Sequence, residues 1–585
     1  MAGALLLGLG GEASAQHLRF HATQPGGVVA VGNTLGLAKG LNQNGPGTED
    51  SIGTFISLGA TTDDVPANPA NPWPVGTTYD WTQNGSTAVL ALSDKASVLY
   101  AELIWGGSSN YATENVTTHI DDMVTLSVAG DSIQVQPSPD TALTIAELSA
   151  SGLFYANYYL RSGDVTQFVQ QHMSGTYSAS AVPATQDMTV NDLNAAGWTL
   201  VVAYRDERSP IRNLAVFVGG SWVDEDSVED YAVAGFCAPP YGAVEGKVIV
   251  SALEGDADRV GDQLALAPTS LDPFVTLSGP NNPENNFFCS QINGEDGLVD
   301  TQGSFGDANH DAINGVNVVG GRQGWDITKV SVSSAQGQLA NGQTSAVVRT
   351  QTVGDSYVPA LVGFEIDVKS PDFTQGGSTT EASMDPVQLG DAFTVTARLE
   401  NQGEAPAMNV VLELPLDSNL GLTDFTLNGQ SGDVNGNPVT AADLSTGVAV
   451  GDVAIGDTTV AVLGLQVNGS PQTGSTFMFV PTWQHGFQMC DNGPMLDDQY
   501  TSDTAIVDFL GDGGTGGAGG AGATGGTGGV GNTGPGNNGS GAVDLTTDSG
   551  CGCALPGSGD LGASAGRLAW LGLGAACWLR RRRRA

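Results

Sequence analysis

Apolar residues in this chain recur in short runs separated by Gly, Asn and Asp. Phe393, Val395, Ala397 and Leu399 alternate with polar residues, which places an apolar row on one face of a strand. Other runs are almost continuously apolar, which is typical of buried strands: 98–104, 198–204, 213–218, 247–250 and 361–366. The pattern predicts an all-β fold of tandem β-sandwich domains.

In one segment the apolar residues recur at helical spacing and not at the spacing of a strand. Asp164 can cap a helix, and Val165, Phe168, Val169 and His172 fall on one face at helical spacing. We expect a short helix here, with His172 packed or lying at the surface rather than catalytic.

The first residues suggest export. A short apolar run containing Leu5 and Leu7 precedes Ala13-Ser14-Ala15, a small-x-small motif that signal peptidase accepts. We expect residues 1–15 to be a signal peptide cleaved between Ala15 and Gln16. Its basic start is missing, which a start codon assigned too late would explain. An ordinary buried N-terminal segment is the alternative.

The other end has three parts in order. Residues 511–548 are rich in glycine and bury too little apolar area to fold, so they predict a disordered, flexible stalk. Cys551-Gly552-Cys553 follows, and then an apolar segment at 568–579. A terminal basic cluster would act as a membrane stop on the cytoplasmic side: Arg580, Arg581, Arg582, Arg583 and Arg584. The apolar segment is near the short limit for a transmembrane helix.

Residues 549–585 resemble the MYXO-CTERM sorting signal of myxobacterial surface proteins, which combines a Cys motif, an apolar helix and an Arg cluster. The resemblance implies that export machinery translocates the chain and that a sorting protease cuts it near Cys551 or Cys553, within the processing motif Cys551-Gly552-Cys553. A transient inner-membrane anchor would then be replaced by display at the cell surface or outer membrane, where lipid on a freed cysteine could hold it. A permanent single-pass helix is the alternative.

The net charge of the chain limits the classes of molecule that it can bind. The 585 residues carry 62 acidic and 20 basic side chains, with a formal net charge of −42. Such an acidic surface repels phosphate backbones, so we expect no nucleic-acid binding. Such a surface favours solubility and attracts divalent cations instead.

Six cysteines are present, and those outside the tail are Cys237, Cys289 and Cys490. In an oxidising compartment we expect a disulfide between Cys237 and Cys289, because both neighbour the same candidate domain. Cys490 could instead pair with either of them. No Cys/His spacing indicates zinc.

Two further resemblances set the domain boundaries. Ala101-Glu102-Leu103-Ile104-Trp105-Gly106-Gly107 and Gly324-Trp325-Asp326-Ile327 are similar to the N-terminal region of large bacterial surface proteins, over residues 20 to 370. Asp385-Pro386-Val387 to Leu463 resembles one immunoglobulin-like conserved repeat domain of such adhesins. We expect an N-terminal β-sandwich-like domain at 16–235, a second β-rich domain at 236–371, and an Ig-like domain at 372–510. The stalk at 511–548 and the tail at 549–585 follow.

No pattern predicts a catalytic residue, so we expect no enzyme, although a β-sandwich glycosidase is an alternative. Asp307, Asn309 and Asp311 place oxygen donors at alternate positions, as calcium loops do, and Ca²⁺ is the one cofactor that the sequence suggests. Two other acidic clusters share this interpretation: Glu254, Asp256, Asp258 and Asp262, and Asp224, Glu225, Asp226, Glu229 and Asp230. Solvated turn acids are the alternative for all three clusters.

Trp105, Trp198 and Trp222 could line a sugar-binding face, but core packing is the more usual role of Trp in strands. These observations predict an exported cell-surface protein with an adhesive or structural role, and a surface glycan or protein as its ligand. A carbohydrate- or calcium-binding module that supports an enzyme or motility complex is the alternative.

Overall fold

A computed structural model of the chain describes residues 16–59, 71–111, 113–145, 156–186, 193–224, 227–490, 493 and 495–511. These residues form several β-sheets with few helices, so the all-β prediction is confirmed. The expected signal peptide with Ala15, the expected stalk beyond residue 511, and the expected sorting tail with Cys551 to Cys553 and Arg580 to Arg584 lie outside the described residues. Within the described ranges, no helix has the length and apolar character needed to cross a membrane.

Residues 16–371, called here the N-terminal body, contain the first 22 strands and one α-helix of the described ranges. The strands are β1 (Gln16–Thr34), β2 (Gly36–Ala38), β3 (Ile52–Ile56), β4 (Thr77–Thr78), β5 (Gly85–Leu90), β6 (Ser97–Tyr111), β7 (Glu114–Asn115), β8 (Val124–Val128), β9 (Asp131–Val135), β10 (Leu143–Ile145), β11 (Ala156–Asp164), β12 (Gly175–Ser180), β13 (Ala196–Arg205), β14 (Ile211–Gly219), β15 (Val228–Ala234), β16 (Glu245–Glu254), β17 (Gln263–Ala267), β18 (Val275–Thr276), β19 (Arg322–Gln323), β20 (Trp325–Ser333), β21 (Ser345–Gln351) and β22 (Tyr357–Asp367). The α-helix is α1 (Thr166–His172), and short 3-10 turns lie at Trp81–Gln83, Thr117–His119 and Pro139–Thr141.

Residues 372–511, the C-terminal sandwich, contain the remaining described elements. They are β23 (Thr379–Ala382), β24 (Ala392–Glu400), β25 (Ala407–Glu413), β26 (Leu420–Leu427), β27 (Gln430–Ser431), β28 (Asp433–Val434), β29 (Asn437–Pro438), α2 (Ala441–Thr446), β30 (Val448–Val453), β31 (Thr458–Val467), β32 (Thr476–Phe479), β33 (Thr482–Gln488), β34 (Met495–Thr501) and β35 (Ala505–Asp508).

The long strand β1 determines the shape of the N-terminal body. Its first part, Gln16 to Pro25, pairs with β14, and its second part, Gly26 to Thr34, pairs with β13. One strand therefore belongs to two sheets, in the orders β10-β11-β6-β13-β1 and β1-β14-β22-β16-β20. Gly26 permits the transition: its φ is +154°, and a Cβ there would lie 2.0 Å from the carbonyl oxygen of Tyr204.

The two inner sheets share a hydrophobic core, and a further sheet covers the outer face of each. Val28 packs between the inner sheets, whereas its neighbour Val29 packs under the outer sheet β5-β12-β8-β9. On the other side, Val216 faces the inner core and Phe217 faces the sheet β15-β21-β17-β18. In the N-terminal body, the two inner sheets and the two outer sheets thus stack in four layers with three cores. Strands buried on both faces explain the continuous apolar runs.

The expected boundary between residues 235 and 236 does not divide this structure. Strand β14 pairs with β22, and β15 pairs with β21, so both inner and outer sheets cross it. The expected domains 16–235 and 236–371 are therefore one body. The prediction is wrong because turn residues indicate only local structure. They do not show which strands pair when more than 100 residues separate them.

The C-terminal sandwich has a core of its own. The sheets β23-β24-β31-β26-β27 and β30-β25-β33-β34 enclose a cluster drawn from residues 373–509. Phe393, Val395, Ala397 and Leu399 point into it, as their alternation predicts, and Arg398 is exposed.

The predicted disulfide between Cys237 and Cys289 is wrong. Cys237 bonds to Cys490, 253 residues away, with a Cα–Cα distance of 6.0 Å. Cys289 is a free, buried thiol that lies 3.9 Å from the carbonyl oxygens of Asn281 and Phe287. Proximity in sequence misled the prediction, because a disulfide needs Cα atoms within about 7 Å. The bond joins the N-terminal body to the C-terminal sandwich.

The expected helix is present as α1. Asp164 Oδ1 accepts a hydrogen bond from Thr166 N–H at 2.8 Å near its start. The His172 ring packs at a tilt against Phe168, with ring centroids 4.7 Å apart, and its Nε2 lies 3.2 Å from Asp131 Oδ2. These contacts account for His172 as a packed surface residue.

Candidate metal centre

Two neighbouring strands of one inner sheet bring distant acids together. Strand β16 ends at Glu254, which pairs with Tyr357, the first residue of the antiparallel strand β22. The residues just after Glu254 and just before Tyr357 therefore meet at one edge of the sheet. Asp256 and Asp355 occupy these positions, 99 residues apart in the chain.

The backbone turns sharply to bring Asp256 back to Asp355. Glu254 has a φ of +70° and Gly255 a φ of +107°, in the left-handed region that costs a non-glycine residue about 1–2 kcal/mol. A Cβ on Gly255 would lie 2.8 Å from Asp326 Oδ2. The turn lets Asp256 N–H donate to Asp355 Oδ2 at 3.2 Å.

Glu254, Asp256 and Asp355 form a compact group, called here the carboxylate triad. Each offers a carboxylate oxygen, and these oxygens all lie within 4.8 Å of one another. All three side chains are buried, with 3%, 2% and 5% exposure. Across the described ranges, no other set of three or more Asp, Glu, His or Cys side chains meets this distance limit.

A second loop contributes charge beside the triad. Arg259 Nε lies 2.9 Å from Asp50 Oδ2 and 3.5 Å from Asp256 Oδ2, so one guanidinium is shared between the two carboxylates. Asp50 lies between β2 and β3, and Asn317 Nδ2 donates to its Oδ1 at 2.7 Å. Gln323, in β19, donates from Nε2 to Asp256 Oδ1 at 2.7 Å.

Burial makes the triad electrostatically costly. Burial raises the pKa of Asp355 to about 7 and the pKa of Asp50 to about 6. It also raises the pKa values of Glu254 and Asp256 well above the usual range, and the neighbouring carboxylates add to the increase. Charged carboxylates this close and this dry need a counter-charge. Arg259 supplies part of it, and protons or a divalent cation can supply the rest.

Asp326 and Asp262 lie nearby but have a different role. Asp326 accepts hydrogen bonds from the backbone N–H groups of Cys289, Ser290 and Gln291 at 2.9, 3.1 and 2.8 Å. Asp262 Oδ2 accepts one from Phe288 N–H at 2.5 Å. Both carboxylates therefore hold the 288–291 loop against the sheet. Burial raises the pKa of Asp326 to about 7 despite these bonds.

The loop that the sequence favoured for calcium has other partners. Asn309 Oδ1 accepts a hydrogen bond from Arg322 Nε at 2.7 Å, and the Asp311 carboxylate accepts from Asn314 Nδ2 at 2.7 Å. The charge of Asp307 also acts on Arg322. These contacts direct Asn309 toward an arginine instead of toward Asp311.

The other two acidic clusters predicted from the sequence also do not form single sites. Of the second acidic cluster, Glu254 and Asp256 belong to the triad, whereas Asp258 is exposed. In the third, Asp230 pairs with Arg349 at 2.7 and 2.8 Å. Glu225 and Asp226 lie outside the described residues.

Two of the three tryptophans proposed for a sugar face are core residues. Trp105 and Trp198 are cross-strand neighbours with 0% exposure. Trp222 stacks on Tyr158 with ring centroids 5.1 Å apart. The structure therefore supports the packing interpretation for Trp105 and Trp198.

Sequence reasoning missed Asp355, Asp50 and Gln323. Asp355 follows Gly354 just before an apolar run, which resembles many turns in the chain. Only the pairing of β16 with β22 makes it a neighbour of Glu254. Predicting the site from the sequence would have required knowledge of the register in which β16 pairs with β22.

No protein-family model matches the chain, and no curated protein is similar to it. One solved structure with a detected similarity is a Corynebacterium diphtheriae protein described as membrane anchored. The sequences are 12% identical, the match covers 84% of this chain and 97% of that one, and the TM-score is 0.17. A likeness this weak supports no argument about function.

Proposed function

We propose that this chain is an exported cell-surface protein with an adhesive or structural role and no enzymatic activity. One observation carries the proposal: the disulfide between Cys237 and Cys490. Disulfides persist in oxidising environments outside the cytoplasm and are rare inside it. A bond that joins the N-terminal body to the C-terminal sandwich suits a protein that works outside the cell.

The sequence of the two ends supports the same proposal. Residues 1–15 have a signal-peptidase motif, and residues 549–585 carry the Cys motif, the apolar segment and the Arg cluster of a sorting tail. In this proposal the N-terminal body and an Ig-like C-terminal sandwich are presented on the glycine-rich stalk. The ligand is a surface glycan or protein.

A calcium-binding module is the second candidate function. The carboxylate triad favours it, since three buried carboxylates within 4.8 Å suit a hard divalent cation. Both functions can belong to one surface protein.

Protease treatment of intact cells tests the display. We expect added protease to degrade the wild-type chain on whole cells, and a variant that lacks residues 551–585 to appear in the medium. A variant with Arg580 to Arg584 replaced by Gln is the matched control for the membrane stop, and it should also lose surface retention. Protection of the wild-type chain, with no change of location on deletion, would contradict export and display.

Attachment assays test the adhesive role separately. Cells without the chain should attach less to each other or to a surface, and the full chain should restore attachment. If display is normal and neither attachment nor envelope integrity changes, the adhesive or structural role is wrong even though export is right.

A further inference from the structure

We propose that the disulfide between Cys237 and Cys490 is a mechanical clamp, which transmits tension from the stalk to the N-terminal body and leaves most of the C-terminal sandwich unstretched. The inference rests on the proposed function, in which the chain is held at its C-terminal end. Tension arises when a ligand bound to the N-terminal body moves relative to the cell.

Two covalent routes connect the N-terminal body to residue 511, where the expected stalk begins. One follows the backbone through the whole C-terminal sandwich, residues 372–511. The other crosses the disulfide, which spans 253 residues of sequence, and continues through the residues after Cys490, which include β34 and β35. Because a chain reaches at most about 3.3–3.6 Å per residue, the route through the disulfide becomes taut first. The strands from β23 to β33 lie on the longer route and are not stretched.

The disulfide is anchored in the core of the N-terminal body. Asn213, in β14, donates from Nδ2 to the Cys237 carbonyl oxygen at 3.1 Å. The preceding residue, Phe236, is buried and stacks on Phe364 of β22, with ring centroids 6.1 Å apart. Tension on Cys237 therefore acts on an inner sheet and its core.

Cys490 is anchored in the C-terminal sandwich in a similar way. It is 5% exposed and follows β33, which lies between β25 and β34 in its sheet. Phe487 and Met489, just before it, form one apolar cluster with Val368 of the N-terminal body. The bond therefore crosses between the two regions beside an apolar contact, where both of its ends are held in place.

Two polar contacts between the regions lie at the surface. Lys369 Nζ lies 3.5 Å from Glu404 Oε1, and the Glu404 side chain is 73% exposed. Tyr241, also exposed, donates from its hydroxyl to the Glu404 carbonyl oxygen at 3.1 Å. Exposed ion pairs contribute little to stability. We expect these contacts to resist separation of the two regions much less than a covalent bond does.

The bond changes how much chain an unfolded C-terminal sandwich releases. Without the bond, unfolding lets about 140 residues extend, which is about 48 nm of chain. With the bond, only the residues after Cys490 can extend, which is about 7 nm of chain. The clamp thus keeps the N-terminal body close to the start of the stalk under tension.

Stretching single molecules of the purified full chain tests the clamp. One handle is attached in the turn at Leu271, which is 95% exposed and lies between β17 and β18 of the N-terminal body, and the other just after Gly511. With the bond intact, no unfolding event of about 48 nm should occur. After reduction of the folded protein, that event should appear.

Each of two results would overturn the proposal. An event of about 48 nm in the protein with its bond intact would show that tension follows the backbone through the sandwich. Absence of the event after reduction would show that the sandwich withstands tension without the bond.

Cysteine variants assign the effect to this bond. Cys490→Ser should show the long event without a reducing agent. Cys289→Ser is the matched control, because Cys289 is a free, buried thiol outside the bond, and it should behave as the wild type in both buffers. A long event in Cys289→Ser with the other two cysteines oxidised would contradict the clamp.

The measurement also separates this inference from the proposed function. A protein that shows the clamp in isolation but supports no attachment of cells would contradict the adhesive role alone. A protein that supports attachment but shows the long event with its bond intact would contradict the clamp alone.

Discussion

The N-terminal body and the C-terminal sandwich are both built from antiparallel strands, but they bury them differently. In β13, every residue from Ala196 to Ala203 is buried, whereas in β24 the buried residues alternate with exposed or half-buried ones. A strand covered by sheets on both faces must be apolar on both. A strand in a two-layer sandwich needs an apolar row on one face only.

The two regions also differ in the charges that they bury. The N-terminal body encloses the pair Lys329–Glu365, with Nζ 2.9 Å from Oε1, as well as the carboxylate triad. Among the described residues of the C-terminal sandwich, no Asp, Glu, Lys or Arg side chain is buried. A stack of four layers leaves charged side chains far from water, so each needs a partner.

Separated fragments give the largest expected effect. Residues 16–235 alone should not fold, because β14 and β15 lose their partners β22 and β21. Residues 372–511 with Cys490→Ser should fold, because their core is self-contained. Thermal unfolding followed by circular dichroism checks both. A cooperative transition in fragment 16–235 would contradict the single body.

Matched tryptophans compare the two cores. Trp198 Nε1 donates to Ser86 Oγ at 2.9 Å, and Trp483 Nε1 donates to Ser502 Oγ at 2.9 Å. Replacing either by Ala should cost about 3–5 kcal/mol. Hydrogen exchange should show faster opening of the N-terminal body in Trp198→Ala and of the C-terminal sandwich in Trp483→Ala. Equal loss of protection in both regions would show that they unfold together.

Single Val→Thr substitutions test burial face by face. Val201 and Val202 are both fully buried on opposite faces of β13, so a hydroxyl at either should cost about 1–3 kcal/mol. Val462 lies on the half-buried face of β31, so Val462→Thr should lower the free energy of unfolding by less than about 0.5 kcal/mol. Chemical denaturation measures each value. A negligible cost at Val201 or Val202 would mean that one face of β13 is open to solvent.

His310 should make the N-terminal body sensitive to acid. Its Nδ1 accepts a hydrogen bond from Val318 N–H at 2.8 Å. Burial lowers its pKa to about 4, although the hydrogen bond with the Gln323 side chain acts in the opposite direction. Below its ordinary pKa of 6.5 the unfolded chain takes up a proton that the folded chain does not. The contribution of His310 to the free energy of unfolding should therefore fall by about 1 kcal/mol between pH 7 and pH 5.5. The raised pKa values of Asp355, Asp326 and Asp50 act in the opposite direction over this range.

His310→Asn keeps a hydrogen-bond acceptor and cannot titrate, so it should remove this part of the pH dependence. Denaturation curves of both proteins at the two pH values check it. His485→Asn is the counterpart in the C-terminal sandwich, where burial also lowers the histidine pKa. An identical pH response in wild type and His310→Asn would rule out the proposed protonation.

Local features were predictable from sequence, and long-range pairing was not. The alternation of Phe393 to Leu399 and the helical spacing of Val165 to His172 depend on neighbours a few residues away, and both predictions are confirmed. The pairing of β14 with β22 depends on complementary surfaces that form only in the folded chain. The same reason hid the meeting of Glu254 with Asp355 and the bond of Cys237 with Cys490.

The proposed function depends most on the covalent bond between the N-terminal body and the C-terminal sandwich, because such a bond persists in an oxidising compartment. Peptide mapping by mass spectrometry, on protein isolated from cells under thiol-blocking conditions, tests it most directly. We expect one cross-linked peptide pair containing Cys237 and Cys490, with Cys289 recovered as a thiol that reacts only after unfolding. Recovery of Cys237 and Cys490 as free thiols, or a bond from either of them to Cys289, would contradict it.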